Sequence, residues 1–101
     1  MRAGDLKFRV TFEKKGTAKW EEVAQRWARI VYQRGDETVI AGRLVGRNTA
    51  EITVRGDDVT RTLKTAMRIT DQRGTVFTIR SITPWENGAW LTFTCETVAP
   101  R

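Results

Sequence analysis

The sequence predicts an all-β domain, a small barrel or sandwich of five or six short strands. Three observations predict it. An alternating strand opens the chain, turn signals separate short apolar runs, and everything after residue 50 reads as β. The 101 residues suit one domain spanning 1–101, and a hydrophobic fraction of 40% suffices for a core. The chain holds no apolar run near the roughly 20 residues that span a bilayer, and no leader precedes the first strand. A soluble protein, intracellular when made, is the expectation.

In the opening strand Leu6, Phe8, Val10 and Phe12 fall on one face, and Lys7, Arg9, Thr11 and Glu13 on the other. A period of two marks a half-buried strand, here with a basic outer face. Lys14 to Lys19 is polar and loop-like. The stretch from Trp20 to Gln33 is ambiguous. Trp20, Val23, Ala24, Trp27, Ala28 and Val31 match helical spacing, whereas the β-branched and aromatic residues from about Val23 to Tyr32 suit a strand. Periodicity alone favours the helix.

Residues 34–49 carry Gly35, Gly42 and Gly46 and read as a loop, or at most a short broken element. Val39, Ile40, Leu44 and Val45 within it suggest burial against a partner. Ala50 to Arg55 alternates, with Ile52 and Val54 on one face, and Gly56-Asp57-Asp58 is a turn signal. Val59 to Lys64 is polar and reads as a second exposed excursion. Met67 to Thr70 and Thr75 to Ile82 form a hairpin around Asp71-Gln72-Arg73-Gly74. Pro84 is expected to end that strand, although Trp85 extends the reading. Asn87-Gly88, both tolerant of positive φ, turns the chain into a last strand from Trp90 to Thr97.

Composition narrows the function. With no histidine and one serine, Ser81, neither a Ser–His–Asp nor a Cys–His arrangement can be built. One cysteine, Cys95, cannot form an intrachain disulfide or supply a zinc site. It alternates with Leu91 and Phe93 and reads as a small buried apolar residue. Gly42 to Gly46 lacks the Lys-Ser/Thr of a phosphate loop. The acidic pairs Glu21/Glu22, Asp36/Glu37 and Asp57/Asp58 read as solvated acids in or beside turns. No enzyme, metal or cofactor is expected.

The net charge is +6, and its distribution is uneven. Residues 1–34 hold nine lysines and arginines against four acids, residues 35–68 six against five, and residues 69–101 three against three. A basic first third favours a polyanion or an acidic protein surface, or serves simply as a solubilising face.

These pieces resemble, nearly end to end, the phage head–tail joining family, the small connector or head-closure (stopper) proteins of long-tailed phages and prophages. The resemblance rests on Gly4-Asp5-Leu6, Arg9-Val10, Trp27-Ala28-Arg29-Ile30, Gly35-Asp36-Glu37, Ala41-Gly42 and Ile52-Thr53-Val54-Arg55. It continues through Met67-Arg68-Ile69, Gly74, Phe77-Thr78-Ile79, Ile82, Trp90-Leu91 and Cys95-Glu96, in order. Gly56-Asp57-Asp58 and Lys64-Thr65-Ala66 depart from the pattern. The resemblance implies a β-barrel with a long mobile loop after the second strand, and so turns 23–33 into a strand. Trp27, Arg29 and Val31 then share one face, and Ala28, Ile30 and Tyr32 the other, as in a barrel wall pressed on a neighbour.

The resemblance also implies a function: a ring, monomeric when free, that closes the DNA exit and docks the tail. Its partners would be other copies of the chain, a portal or adaptor above, a tail terminator or tail tube below, and packaged double-stranded DNA. It would act in the virion, after synthesis in the host cytoplasm. Lys7, Arg9, Glu37, Ile40 and Leu44 are the assembly and docking candidates. Arg43, Arg47, Arg61 and Lys64 are the lumen- or DNA-facing ones. The early first strand would leave nothing protruding where the protomer seats. Two alternatives stand beside this reading. One is another neck or tail-tube component. The other is a basic OB-like barrel that stacks nucleic-acid bases on Trp20, Trp27, Trp85 or Trp90.

Overall fold

Backbone hydrogen bonding closes six antiparallel strands on one another into a barrel. The computed structural model describes residues 3–33, 37–40 and 43–98, with side chains over 4–32 and 49–97. A 3₁₀ turn (Ala3–Asp5) precedes β1 (Phe8–Lys15) and β2 (Trp20–Gln33). β3 (Glu37–Ile40) and β4 (Arg43–Arg55) follow. A second 3₁₀ turn (Thr60–Thr62) leads to β5 (Arg68–Asp71), β6 (Val76–Trp85) and β7 (Trp90–Val98). Around the barrel the order is β2-β1-β5-β6-β7-β4, and a β2–β4 ladder completes the circuit.

β2 is one strand serving two ladders. Its first part pairs with β1, from Lys15↔Trp20 to Phe8↔Ala28, and its last part with β4, from Ala28↔Val54 to Gln33↔Thr49. The helical spacing of Trp20–Val31 therefore has another origin. Ala24, Ala28 and Ile30 point into the core, while Trp27 and Val31 lie exposed on the alternate face. The register also slips between Phe12 and Glu13, which leaves Val23 as an extra residue in β2. Apolar residues on two faces, offset by a bulge, add up to a pattern that imitates a helix.

The core is the inner face of the barrel. Val10 and Phe12 of β1, Ile52 and Val54 of β4, Phe77 and Ile79 of β6, and Leu91, Phe93 and Cys95 of β7 are buried. The rings of Phe12 and Phe93 meet across it, 5.2 Å between centres. β1 begins at Phe8 rather than Leu6. Leu6 is half-buried, and Phe8, paired with Ala28 at the end of β1 that meets one mouth of the barrel, is 38% exposed. Tyr32, 54% exposed, lies at the same mouth with its ring 6.1 Å from that of Phe77.

Two expectations need correction. Val59–Lys64 is not an exposed excursion throughout: Thr60 and Leu63 are buried, and Leu63 joins the core. The 59–63 segment closes one end of the barrel, which a six-stranded wall cannot seal by itself. Pro84 does not end β6 but pairs opposite Leu91 within it. β5 pairs with β6 only over Val76–Thr78, so the β5-facing edge of β6 lacks a strand at Pro84 and no ladder bond is lost. The 34–49 segment contains the short broken element its glycines allowed. Glu37–Ile40 pair with Arg43–Gly46 as a hairpin, and pairing of β4 with β7 starts only at Arg47. The mobility expected there falls partly on 34–36 and 41–42, which lie outside the described residues.

Two turns set the lower corner. Gly88 N–H bonds Trp85 O and Ala89 N–H bonds Glu86 O, with φ of 49°, 56° and 81° at Glu86, Asn87 and Gly88. The positive φ foreseen for Asn87-Gly88 thus extends one residue earlier. Glu86 bears it while its carboxylate accepts from Trp90 Nε1 at 3.1 Å. The 86–89 loop presses on Gly56, whose N–H bonds Ala89 O at 2.7 Å. A Cβ at Gly56 would lie 1.9 Å from Gly88 O, so only glycine fits.

Phe93 is fully buried against Phe12 in the barrel centre. Phe93→Ala is expected to lower unfolding stability by about 3–5 kcal/mol, read by urea denaturation. A loss no larger than that of a surface substitution would contradict the barrel-centred core.

Candidate functional site

Among the described residues the barrel encloses an apolar core, and the charged side chains lie on the outer wall and at the two ends. The wall formed by β2, β1 and β5 carries arginine–tryptophan pairs. The Arg68 guanidinium lies 4.4 Å from the Trp20 ring centre, and Arg9 5.5 Å from that of Trp27. On the opposite wall Arg55 lies 5.3 Å from Trp90. The settings differ. Arg68 Nε also donates to Glu13 Oε1 at 2.9 Å, and Thr70 Oγ1 donates to the same oxygen at 2.6 Å. The Arg68 and Thr70 hydrogen bonds outweigh desolvation and hold the Glu13 carboxyl below its ordinary range. Trp90 is buried and stacks on Trp85, whose Nε1 donates to Thr92 Oγ1 at 2.9 Å. Trp27 alone of the four tryptophans is exposed, at 51%.

These contacts bear on the nucleic-acid reading. Base stacking needs open aromatic faces. The indoles of Trp20, Trp27 and Trp90 each carry an arginine of the same chain, and Trp85 and Trp90 cover one another.

At the lower corner Asp57 does structural work that its acidic-pair reading missed. Its Oδ1 accepts the N–H groups of Val59 and Thr60, at 2.9 and 2.8 Å, and its Oδ2 accepts Arg26 Nε at 2.9 Å. Burial pulls the Asp57 carboxyl upward, but the Arg26 and backbone hydrogen bonds prevail and hold it below its ordinary value. Thr60 Oγ1 accepts the Asp57 N–H at 2.8 Å. The signal was in the sequence: Asp, then Thr three residues on, is a side-chain-capped turn. The basic partner, Arg26, could come only from the fold.

The proposed site residues do not form one cluster. Lys7 is exposed before β1, and Arg9 is in β1 opposite Trp27, its N–H donating to Gln72 Oε1 at 3.3 Å. Glu37 and Ile40 are in β3, and Arg43, Leu44 and Arg47 in the first part of β4; their side chains lie outside the described residues. Arg61 sits at the other end of β4, where its Nη2 reaches Gly88 O at 3.0 Å and Gly56 O at 3.4 Å. It ties the two lower loops together, and its Nη1 lies 3.8 Å from Asp58. Lys64 is exposed beside a cleft of about 410 Å³ lined also by Lys14, Val23, Leu63 and Met67. From Arg47 to Arg55 alone β4 spans roughly 26 Å, at about 3.3 Å per residue. The arginines of the hairpin and of the 3₁₀ turn thus lie toward opposite ends.

Cys95 is buried, and desolvation pushes its thiol up to about 12. Among the described residues no cluster of His, Cys, Asp and Glu could hold a metal ion.

A family model described as phage head completion protein matches residues 1–98. The chain belongs to the phage head completion protein family. A chain from a solved structure titled "Virion of native gene transfer agent (GTA) particle" superposes with a TM-score of 0.65 at 15% identity, covering 91% of this chain and 92% of that one. At that identity the likeness speaks for the fold. No curated protein is similar at a significant level. A head completion protein is a structural component of the virion and not an enzyme. Its working parts are therefore surfaces, and the buried Cys95 and the ion-paired acids belong to the scaffold.

Glu13 and Asp57 carry a pH prediction. Both titrate, when folded, below their ordinary values of 4.5 and 3.8, so the unfolded chain binds more protons in acid. Their stabilisation is present above those ordinary values and lost as pH falls through the folded ones. The thermal midpoint is expected to decline below about pH 4.5. Glu13→Gln should lower it at neutral pH and soften the acid decline. An unchanged acid limb in both Glu13→Gln and Asp57→Asn would remove these pairs from the account.

Proposed function

We propose that this head completion protein assembles into a ring between the portal or its adaptor and the tail, closes the DNA exit after packaging, and presents the surface on which the tail docks. The observation that carries the reading is the β3–β4 hairpin, which continues past the barrel ladder on an otherwise closed wall. A two-stranded hairpin is marginally stable by itself in water. One that carries Val39, Ile40, Leu44 and Val45 gains by packing on neighbours.

Each protomer of a cyclic ring uses two different faces. In this reading the Lys7 and Arg9 wall and the hairpin, with Glu37, Ile40 and Leu44, are those faces. Arg43 on the hairpin, Arg47 where β4 enters the barrel, and Arg61 and Lys64 at the other end, face the lumen, the packaged duplex or an acidic adaptor. A tail terminator or tail tube protein lies below. Ordering the hairpin costs conformational freedom at the moment of assembly, which keeps the free protein monomeric until a template is offered.

A phage deleted for this gene is expected to give DNA-filled heads that leak and carry no tail, restored by the wild-type protein. Arg43→Glu with Arg47→Glu should fold normally, by circular dichroism, yet fail to restore particles. Full restoration would exclude these two arginines from the mechanism. Amide exchange supplies a separate check. In the free, monomeric protein, residues 37–46 should exchange fast while β1, β6 and β7 are protected. Strong protection of 37–46 in the monomer would contradict ordering on assembly.

A further inference from the structure

The basic wall has a feature that a solubilising face does not need. Trp27 is 51% exposed and Val31 38%, and both project from the same side of β2 as Arg29, itself exposed. Across the ladder Arg9 stands opposite Trp27, its guanidinium 5.5 Å from the ring centre. A large aromatic, a β-branched residue and two arginines are thus gathered on one face of two strands, with Lys7 exposed just before β1. The nearby Trp20 is the internal comparison: its arginine is neutralised by Glu13. Acid near the Trp27 group comes from Glu51, opposite Val31 on β4.

We infer that this patch is the anchor for an acidic surface of a different virion protein, with Trp27 seated in an apolar pocket and carboxylates ringed on Arg9 and Arg29. The inference rests on the connector reading and reassigns its basic wall from a neighbouring protomer to a different virion protein. Trp and Arg together, exposed and adjacent, are the residues that carry most of the energy at protein interfaces. Charge complementarity selects the occupant. A duplex would satisfy the cations but offers its phosphates no use for Trp27 and Val31. A second copy is a poor match, because the chain carries a net charge of +6 with its excess in residues 1–34, and Glu13, Asp57 and Glu96 are paired with arginines of their own chain.

The test is capture of the labelled full-length protein by DNA-filled heads, and separately by tails, purified from the phage deleted for this gene. Trp27→Ala and Arg29→Glu are each expected to weaken capture by about 30-fold, the loss typical of an interface anchor. Trp27→Phe should retain most of it, added salt should weaken it, and melting should be unaffected. Capture of both variants as tight as wild type overturns the patch and leaves the connector reading standing. Wild-type protein held by neither heads nor tails overturns both. If the variants instead lose binding to a short DNA duplex, or lose self-association, with capture intact, the occupant is nucleic acid or a second copy and the inference fails.

Discussion

Closure of the sheet by β2 against β4 is the constraint on which the rest of the molecule depends. Ala28 stands at the junction: it pairs with Phe8 on one side and Val54 on the other, and it is fully buried. A side chain no larger than a methyl group lets three strands meet there around the phenylalanines of the core. Were β2 to stop at Ala28, its ladder to β4 would be lost, and β4 would present an open edge. The strand must therefore be long, and its two ladders must agree in register. The bulge at Val23 permits this, shifting one ladder without disturbing the other.

Closure also decides how charge is used. With the inside filled by apolar side chains, every ionic group is driven to the wall or the ends. Part of that charge is internal mortar: Arg68 with Glu13, Arg26 with Asp57, and Arg80 with Glu96. Partly exposed pairs of this kind contribute modestly to stability, because water screens them. They also take three acids out of the surface balance, and the excess of positive charge lies in residues 1–34, which include β1 and β2.

The lower end works by a different principle. The 57–60 turn, Gly56 and the 86–89 loop are joined by backbone contacts and by the Arg61 guanidinium on two carbonyl oxygens. Thr60 and Leu63 then fill the end of the barrel. The other end bears Phe8 and Tyr32, which line a cleft with Asp71, Gln72 and Arg73, and the hairpin leaves the wall on that side. The two ends of the barrel are therefore built differently.

Much of this was legible in the residues. Alternation in Val10–Phe12, Ile52–Val54 and Leu91–Cys95 determined which side chains face inward, since a strand allows only two faces. Asn87-Gly88 and Asp71–Gly74 determined two of the reversals, since those residues tolerate the backbone angles a tight turn demands. The absence of histidine set aside histidine-dependent catalytic chemistry. The state of β2 was not legible from spacing, because apolar residues on an outer wall and a bulge are indistinguishable in one dimension from a helical stripe. Nor were the partners of Arg26, Arg61 and Arg68, each matched to a residue or backbone oxygen that closure brings near. What the sequence determined alone was local: strand faces, turns and the sign of the charge. Only the tertiary structure decided which cations pair inside the molecule and which, beside Trp27, lie on the outer wall, because that depends on which strands become neighbours.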